Sequence, residues 1–302
     1  MEPERFVVGL IGAGISTSAT PLLHESEADA LGVRYAYQVI DIGDLGVAAE
    51  DVGELLQAAR NMGFRGVNVT YPCKQFVVAG LDELSNDAAA IGAVNTVVFD
   101  NGRAIGHNTD VSGFRRSFRL SFADAARDRV IVIGAGGAGA AVSYAALQLG
   151  TDLVTITDLD PSRAETLTTR LAAVFGDDRV TQLPVEKLSG ALVECDGVIH
   201  ATPTGMHDHP GMPFSPDLLD PRFWVADVVY RPLETELLRQ ARRTGCRVLD
   251  GGGMAVFQSV ESFALFTGLE PNPERMLARF DEIFRPSGGL PDDPGKQVAP
   301  AV

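Results

Sequence analysis

Positive charge is what this chain has least of. Its 302 residues carry 25 Lys and Arg against 40 Asp and Glu, a formal charge of −15 at pH 7. Nucleic acids and anionic membrane surfaces both need clustered positive charge, so neither is an expected partner. Long apolar runs are missing too. None approaches the roughly 18 residues of a membrane span, and the opening Met1-Glu2-Pro3-Glu4-Arg5 lacks the basic stretch of a secretory signal. A cytoplasmic location is expected. Cysteine is scarce and scattered: Cys73, Cys195 and Cys246 form no CxxC pair and no disulfide framework, which leaves them as buried or inert thiols. The five histidines include no HExxH. His207-Asp208-His209 sits between Gly205 and Pro210-Gly211, so it reads as a solvated loop and no metal is expected.

What is present is a globular composition. With 45% hydrophobic and 22% charged residues, the chain can bury a substantial core. Its length is about twice a domain of roughly 150 residues, which suggests two domains. Strand-like and helix-like patterns alternate, as in α/β proteins with largely parallel sheets. In the first part, Phe6 to Ile11 and Gly66 to Thr70 read as strands and Glu50 to Asn61 as an amphipathic helix. Val94 to Phe99 reads as a strand turning at Asp100-Asn101-Gly102, where Asn and Gly tolerate positive φ. A polar connector at Ser121 to Asp128 precedes a second unit. Its expected strands are Val130–Ile133, Leu153–Thr157, Gly197–Ala201, Trp224–Val229 and Arg247–Leu249, with a helix through Leu149 and another from Pro161 to about Phe175. That is the cadence of a doubly wound nucleotide-binding domain. Gly253 to Phe284 is helical again and apolar enough to return to the first unit. The stretch from Pro286 to Val302 has no periodicity and is expected to be disordered.

The strongest local signal is Gly134-Ala-Gly136-Gly137-Ala138-Gly139, a GxGxxG between a strand and a helix. Gly134 makes the tight turn, Gly136 admits a pyrophosphate to the backbone, and Gly139 allows close helix packing at a terminus rich in free N–H donors. The next strand ends at Asp158, about 20 residues on, where a carboxylate accepts hydrogen bonds from the adenosine ribose and repels a 2′-phosphate. NAD is favoured over NADP. A plain helix cap is the competing reading of Asp158, although Asp160, before Pro161, is the better cap. Arg163 tempers the choice, since its guanidinium could approach the adenine or a phosphate. Upstream, Gly9-Leu-Ile-Gly12-Ala-Gly14-Ile-Ser16-Thr17 imitates the fingerprint, but Thr17 takes the third glycine position and Pro21 is expected to interrupt any helix. It reads as a strand and a polar loop whose hydroxyls could bind a polyol or carboxylate, with helix capping preferred for Ser16 and Thr17. Two further segments, Asn68-Val-Thr70-Tyr-Pro72-Cys-Lys74 and Gly106-His-Asn108-Thr109-Asp110, place a lysine and an acid at strand ends, where open α/β sheets bind ligands.

Together with Ser18-Ala-Thr20-Pro21-Leu-Leu-His24, Gly92-Ala-Val-Asn95-Thr96, Ala201-Thr202-Pro203-Thr204-Gly205-Met206, Asp227-Val228-Val-Tyr230-Arg-Pro232 and Gly253-Met254 with Gln258, these segments resemble the shikimate dehydrogenase family in order, up to about residue 284. The resemblance implies an α/β fold with an N-terminal substrate domain over 1–115, completed by helices over 254–285, and a Rossmann-type NAD-binding domain over 116–253. It implies reversible oxidation of the C3 hydroxyl of a cyclohexane carboxylate, with hydride passing to a nicotinamide cofactor. Lys74 and Asp110 match the family's catalytic pair. Ser18 and Thr20 match carboxylate contacts, and Asn68, Thr70, Asn95 and Gln258 match ring-hydroxyl contacts. The cofactor-binding turn comprises Gly134, Gly136, Gly137, Ala138 and Gly139, with Gly136 to Ala138 lining the pyrophosphate, and the adenosine falls to Asp158 and Arg163. The nicotinamide half falls to Thr202, Pro203, Met206, Val228, Tyr230, Gly251, Gly253 and Met254. An adjacent carboxylate raises a lysine's pKa while desolvation and an oxidised nicotinamide lower it, and faster oxidation is expected at alkaline pH.

Three departures from the biosynthetic pattern mark the subtype. Thr20 replaces a serine, Gly-Ala-Gly-Ile replaces Pro-Ile-x-His-Ser, and Thr157-Asp158-Leu159-Asp160 replaces an Asn-Arg-Thr-like basic pattern. These resemble the NAD-preferring quinate/shikimate dehydrogenases, with quinate and shikimate as substrates and a homodimer as the candidate assembly. The alternatives are an NADP-dependent biosynthetic shikimate dehydrogenase, a paralogue acting on an altered ring, and a non-catalytic nucleotide-binding regulator, against which the retained Lys74 and Asp110 argue.

Overall fold

A computed structural model describes residues 4–284. The segment expected to be disordered, 286–302, lies outside them. The elements run β1 (Arg5–Gly12), α1 (Thr20–Leu31), β2 (Arg34–Asp41), α2 (Ile42–Leu45), α3 (Val52–Asn61), β3 (Gly66–Val69), β4 (Glu83–Leu84), α4 (Asn86–Ile91), β5 (Thr96–Asp100), β6 (Arg103–His107) and α5 (Thr109–Ser121). After the connector come β7 (Arg129–Ile133), α6 (Gly137–Gln148), β8 (Leu153–Thr157), α7 (Pro161–Phe175), β9 (Val180–Gln182), α8 (Leu188–Ala191), β10 (Gly197–His200), β11 (Trp224–Asp227), α9 (Glu236–Thr244), β12 (Val248–Leu249), α10 (Gly252–Thr267) and α11 (Pro273–Phe284).

The strands form two six-stranded sheets, ordered β2-β1-β3-β5-β6-β4 and β12-β11-β10-β7-β8-β9. The first is mixed, because β5 runs antiparallel to both β3 and β6. The turn between β5 and β6 uses positive φ at both Asn101 and Gly102, as a two-residue hairpin of right-handed twist requires. All pairings of the second sheet are parallel. Period-two side-chain alternation sorts each strand between two cores. Val130, Val132, Val154 and Ile156 face one core with α6 and α7, and Ile131, Ile133, Val198 and Val225 face another with α9. In the first sheet, Val67, Val69, Val97 and Phe99 pack with α3, while Val8, Leu10 and Val98 pack with Phe266 of α10.

Pro21 does not interrupt a helix, contrary to the sequence expectation. It occupies the first turn of the 12-residue α1, where a missing N–H costs nothing and a fixed φ suits helix entry. Ser16 and Thr17 do not cap it either: the cap position is Ala19 with no side-chain bond, and both hydroxyl residues are exposed. Helices α5 and α10 link the two sheets and lie so close that a Cβ on Gly113 would meet the Met254 carbonyl at 2.8 Å. Among the described residues no helix is long and apolar enough to cross a membrane.

Candidate active site

The Gly-rich turn follows β7. Gly134 has φ +108°, and a Cβ there would meet the Ala201 carbonyl oxygen at 2.7 Å. A Cβ on Gly139 would overlap the Gly134 carbonyl oxygen, so α6 can sit this close to the strand only without one. Gly136 faces open space, and α6 begins there with no side-chain cap and no acid in its first turn. The terminus therefore offers bare N–H donors to an anion, which fits a dinucleotide pyrophosphate. Ala138 lies half-buried in the same turn.

Asp158, at the end of β8, spans two loops. One oxygen accepts the Ala135 N–H at 2.6 Å and the other the Asp160 N–H at 2.9 Å. Asp160 caps α7 through Ser162, as its position before Pro161 suggested, and draws Arg163 to 3.6 Å. A cavity of about 350 Å³ opens beside this loop, lined by Gln75 and Ile91 from the first sheet's side and by Ala135, Arg163 and Arg170 from the second's. No metal-holding group of His, Cys, Asp or Glu exists among the described residues.

The segments assigned to the nicotinamide half gather at the adjacent ends of β10 and β11. Thr202 is half-buried, while Pro203 and Met206 are exposed. A Cβ on Gly251 would meet the Val228 carbonyl at 2.5 Å, which places the start of α10 against that strand end. Gly253 packs on Ser117 of α5, and Met254 is a core residue with Val228 packed near it. Tyr230 points elsewhere: its ring packs against Phe280 and Phe284, and its hydroxyl feels the Ser18 hydroxyl of the substrate-side loop. Burial raises its pKa, with the Ser18 hydroxyl opposing. It belongs with the substrate-side loop rather than with the nicotinamide segments.

On the substrate side, Lys74 follows β3 and the cis peptide Tyr71–Pro72, and its Nζ lies 2.6 Å from an Asp110 carboxylate oxygen. Asp110 sits in the first turn of α5, where the helix dipole favours a negative charge. The lysine stem crosses the start of α6: a Cβ on Gly137 would stand 3.0 Å from the Lys74 Cβ and 3.1 Å from its Cδ. The glycine thus lets the lysine of one sheet lie against the anion-binding terminus of the other.

Behind the pair is a buried amide network. Asn95 accepts the Thr109 N–H at 2.8 Å and donates to the Thr109 hydroxyl at 3.0 Å, and that hydroxyl reaches Gln258 at 3.4 Å. Asn68 accepts from the Tyr37 hydroxyl at 2.7 Å and donates to Thr96 at 3.0 Å and to the Asn95 carbonyl at 3.3 Å. Both its amide hydrogens are used inside the protein, so Asn68 supports the network rather than presenting a free donor. The Ser18 hydroxyl donates to Thr20 Oγ1 at 3.3 Å and also accepts the Thr20 N–H. Their loop is tied down by Asp41, which accepts from the backbone of Ile15 and Gly43 at 2.9 Å each, and these bonds hold its carboxyl below the usual range. Thr70 packs its methyl on Gly12.

The domain model described as "Shikimate dehydrogenase substrate binding domain" matches residues 10–97. The NADP(+) shikimate dehydrogenase of Streptomyces avermitilis is 56% identical over 94% of this chain and 97% of its own length. The chain belongs to the shikimate dehydrogenase family. The NAD(+) quinate/shikimate dehydrogenase of Corynebacterium efficiens is 46% identical over 93% of this chain and 99% of that protein. Quinate dehydrogenase from Corynebacterium glutamicum, solved in complex with NAD, superposes with a TM-score of 0.85 at 45% identity, covering 92% of this chain and 99% of that one. Family membership makes the chain an oxidoreductase of the shikimate/quinate dehydrogenase type that uses a nicotinamide dinucleotide.

Several residues of this family member escaped sequence reasoning. Thr96 and Thr109 stand beside Asn95 and Asn108 in the very motifs that drew notice, yet their hydroxyls join the network. Tyr37 lies on edge strand β2, which has no sequence flag except its tyrosines. His200 and Asp227 end neighbouring strands, His200 just before the Ala201-Thr202 motif and Asp227 at the head of its own, yet neither drew an assigned role. The thiols behave as expected, since burial pushes Cys73 up to about 11 and Cys195 up to about 12 and so keeps them protonated.

Proposed function

We propose that the chain is an NAD-preferring quinate/shikimate dehydrogenase. The observation that carries the reaction is the Lys74–Asp110 pair at 2.6 Å, laid across Gly137 at the start of the cofactor helix. A bound ring donates its C3 hydroxyl to this pair, Lys74 takes the hydroxyl proton at Nζ, and Asp110 fixes the ammonium and the neighbouring hydroxyl. The dinucleotide, when bound, accepts the hydride from C3. Ser18, Thr20 and Tyr230 hold the ring carboxylate, and Thr70, Asn95 and Gln258 orient the hydroxyls over the support that Asn68 and Tyr37 provide. Gly136, Gly137 and Ala138 hold the pyrophosphate in the turn that Gly134 and Gly139 shape. Because oxidation releases one proton, its equilibrium moves about tenfold per pH unit toward the ketone.

Support for NAD comes from Asp158 and Asp160, two carboxylates where a 2′-phosphate would have to sit. Arg163 stands near Asp160 rather than free. The competing reading, an NADP-dependent shikimate dehydrogenase, is favoured by the name of the Streptomyces relative. Initial rates with NAD and NADP, each against quinate and shikimate, separate the two. The expected result is turnover of both acids with NAD exceeding that with NADP, and equal or better use of NADP overturns the NAD reading.

A further inference from the structure

His200 is fully buried, yet it is polar on both edges and belongs to no group named so far in the reaction. Its Nδ1 lies 3.0 Å from Asp227 and its Nε2 lies 2.6 Å from the Thr202 hydroxyl. A carboxylate only accepts, so Nδ1 carries a proton, and in the neutral imidazole Nε2 is left to accept from the Thr202 hydroxyl. The Thr202 oxygen in turn accepts the Thr204 N–H at 3.3 Å. Asp227 is saturated from the other side: it accepts the Val229 N–H at 3.0 Å and the Thr235 hydroxyl at 2.8 Å, and Thr235 caps α9. The chain of bonds therefore runs from Thr204 to the start of α9 and ties together the two strand-end segments 202–206 and 228–230. The β10 and β11 register places His200 opposite Asp227, so a single imidazole spans the gap.

We propose that His200 is a positioning residue that locks these two segments into one rigid wall for the nicotinamide half of the cofactor. This rests on the dehydrogenase reading above, with Thr202, Pro203, Met206 and Val228 as the residues of these segments that face that half. The imidazole itself touches no substrate and acts through the Thr202 hydroxyl and the Asp227 turn.

The test measures by calorimetry how much tighter NADH binds than ADP-ribose, which lacks the nicotinamide. Thr202→Val and His200→Ala are expected to lower that ratio about tenfold while ADP-ribose affinity stays within about twofold of wild type. Thr202→Ser, which keeps the hydroxyl, restores the ratio, and the double variant is no worse than His200→Ala alone because both cut one chain of bonds. Should His200→Ala fail to fold, His200→Asn takes its place, since it can still donate toward Asp227 but is too short to reach Thr202. An unchanged ratio in Thr202→Val, a wild-type ratio near one, or strictly additive losses in the double variant each overturn the proposal. Absence of wild-type turnover with quinate or shikimate would instead sink the dehydrogenase reading, and the binding ratio would still decide the part played by His200.

Discussion

The stem of Lys74 lies against the start of α6, where a Cβ on Gly137 would stand 3.0 Å from its Cβ. Its Nζ reaches past that terminus to Asp110 at 2.6 Å. Lys74 follows β3 and Asp110 follows β6 of the same sheet, and the other sheet contributes the helix start that packs on the lysine stem. Replacing Lys74 with Ala is expected to lower kcat about 10²- to 10⁴-fold, the usual contribution of a positioned proton-transfer group. NADH affinity should survive, since Lys74 lends the cofactor helix only packing. Stopped-flow kinetics paired with fluorescence titration of NADH checks both, and unchanged turnover would remove Lys74 from the mechanism. At this scale the sequence was most legible where a residue type has one physical use. Gly139 is excluded from having a Cβ by a carbonyl, and Asp160 caps a helix because Pro161 follows. It was least legible where the partner is distant, as with Tyr37 and Asn68, 31 residues apart.

Pairs of elements hold the two sheets in register, chiefly α5 against α10. Glu261 on α10 receives a hydrogen bond from Ser112 on α5. Burial raises its pKa from 4.5 to about 7, Arg115 opposes the rise and Asp87 adds to it. Because the folded-state pKa is raised, the folded protein binds this proton more tightly than the unfolded chain does. The group's stabilising contribution is therefore complete below about pH 4.5 and is lost as pH rises through about 7. The loss is of order 1–3 kcal/mol. Glu261→Gln mimics the protonated form and should remove this slope. Urea unfolding at pH 5 and pH 8 is expected to show a larger fall in stability for wild type than for the variant, and equal falls would rule Glu261 out as the source. None of this was readable from sequence, because Glu261 looks like an ordinary helix acid until α5 is packed on it. The same holds for α1. Pro21 reads as a breaker in isolation and as a helix opener once the helix is seen to start at Thr20.

For the whole molecule, parallel pairing made five of the six strands of the second sheet readable, since its central strands β7, β10 and β11 are buried almost throughout, whereas the edge strand β9, with two exposed residues, was not read. The first sheet was read less completely because its edges, β2 and β4, are exposed or only two residues long. The charge of −15 belongs to this scale too, and it sets a kinetic expectation. In the proposed function, dinucleotide and ring carboxylate are anions approaching a negative surface, to be held by local devices: the bare N–H groups of α6, Lys74 and a few hydroxyls. Long-range repulsion acts on the approach and is screened over about 10 Å at 0.1 M salt, whereas the short contacts in the cleft are screened much less. Raising sodium chloride from about 10 mM to about 150 mM, which shortens the screening length, should therefore raise kcat/KM for the dinucleotide. Most enzymes that gather anionic ligands with a basic surface show the opposite slope. A fall in kcat/KM over that range would mean that a local positive field around the cleft outweighs the net charge, and steady-state rates at saturating quinate or shikimate decide between the two.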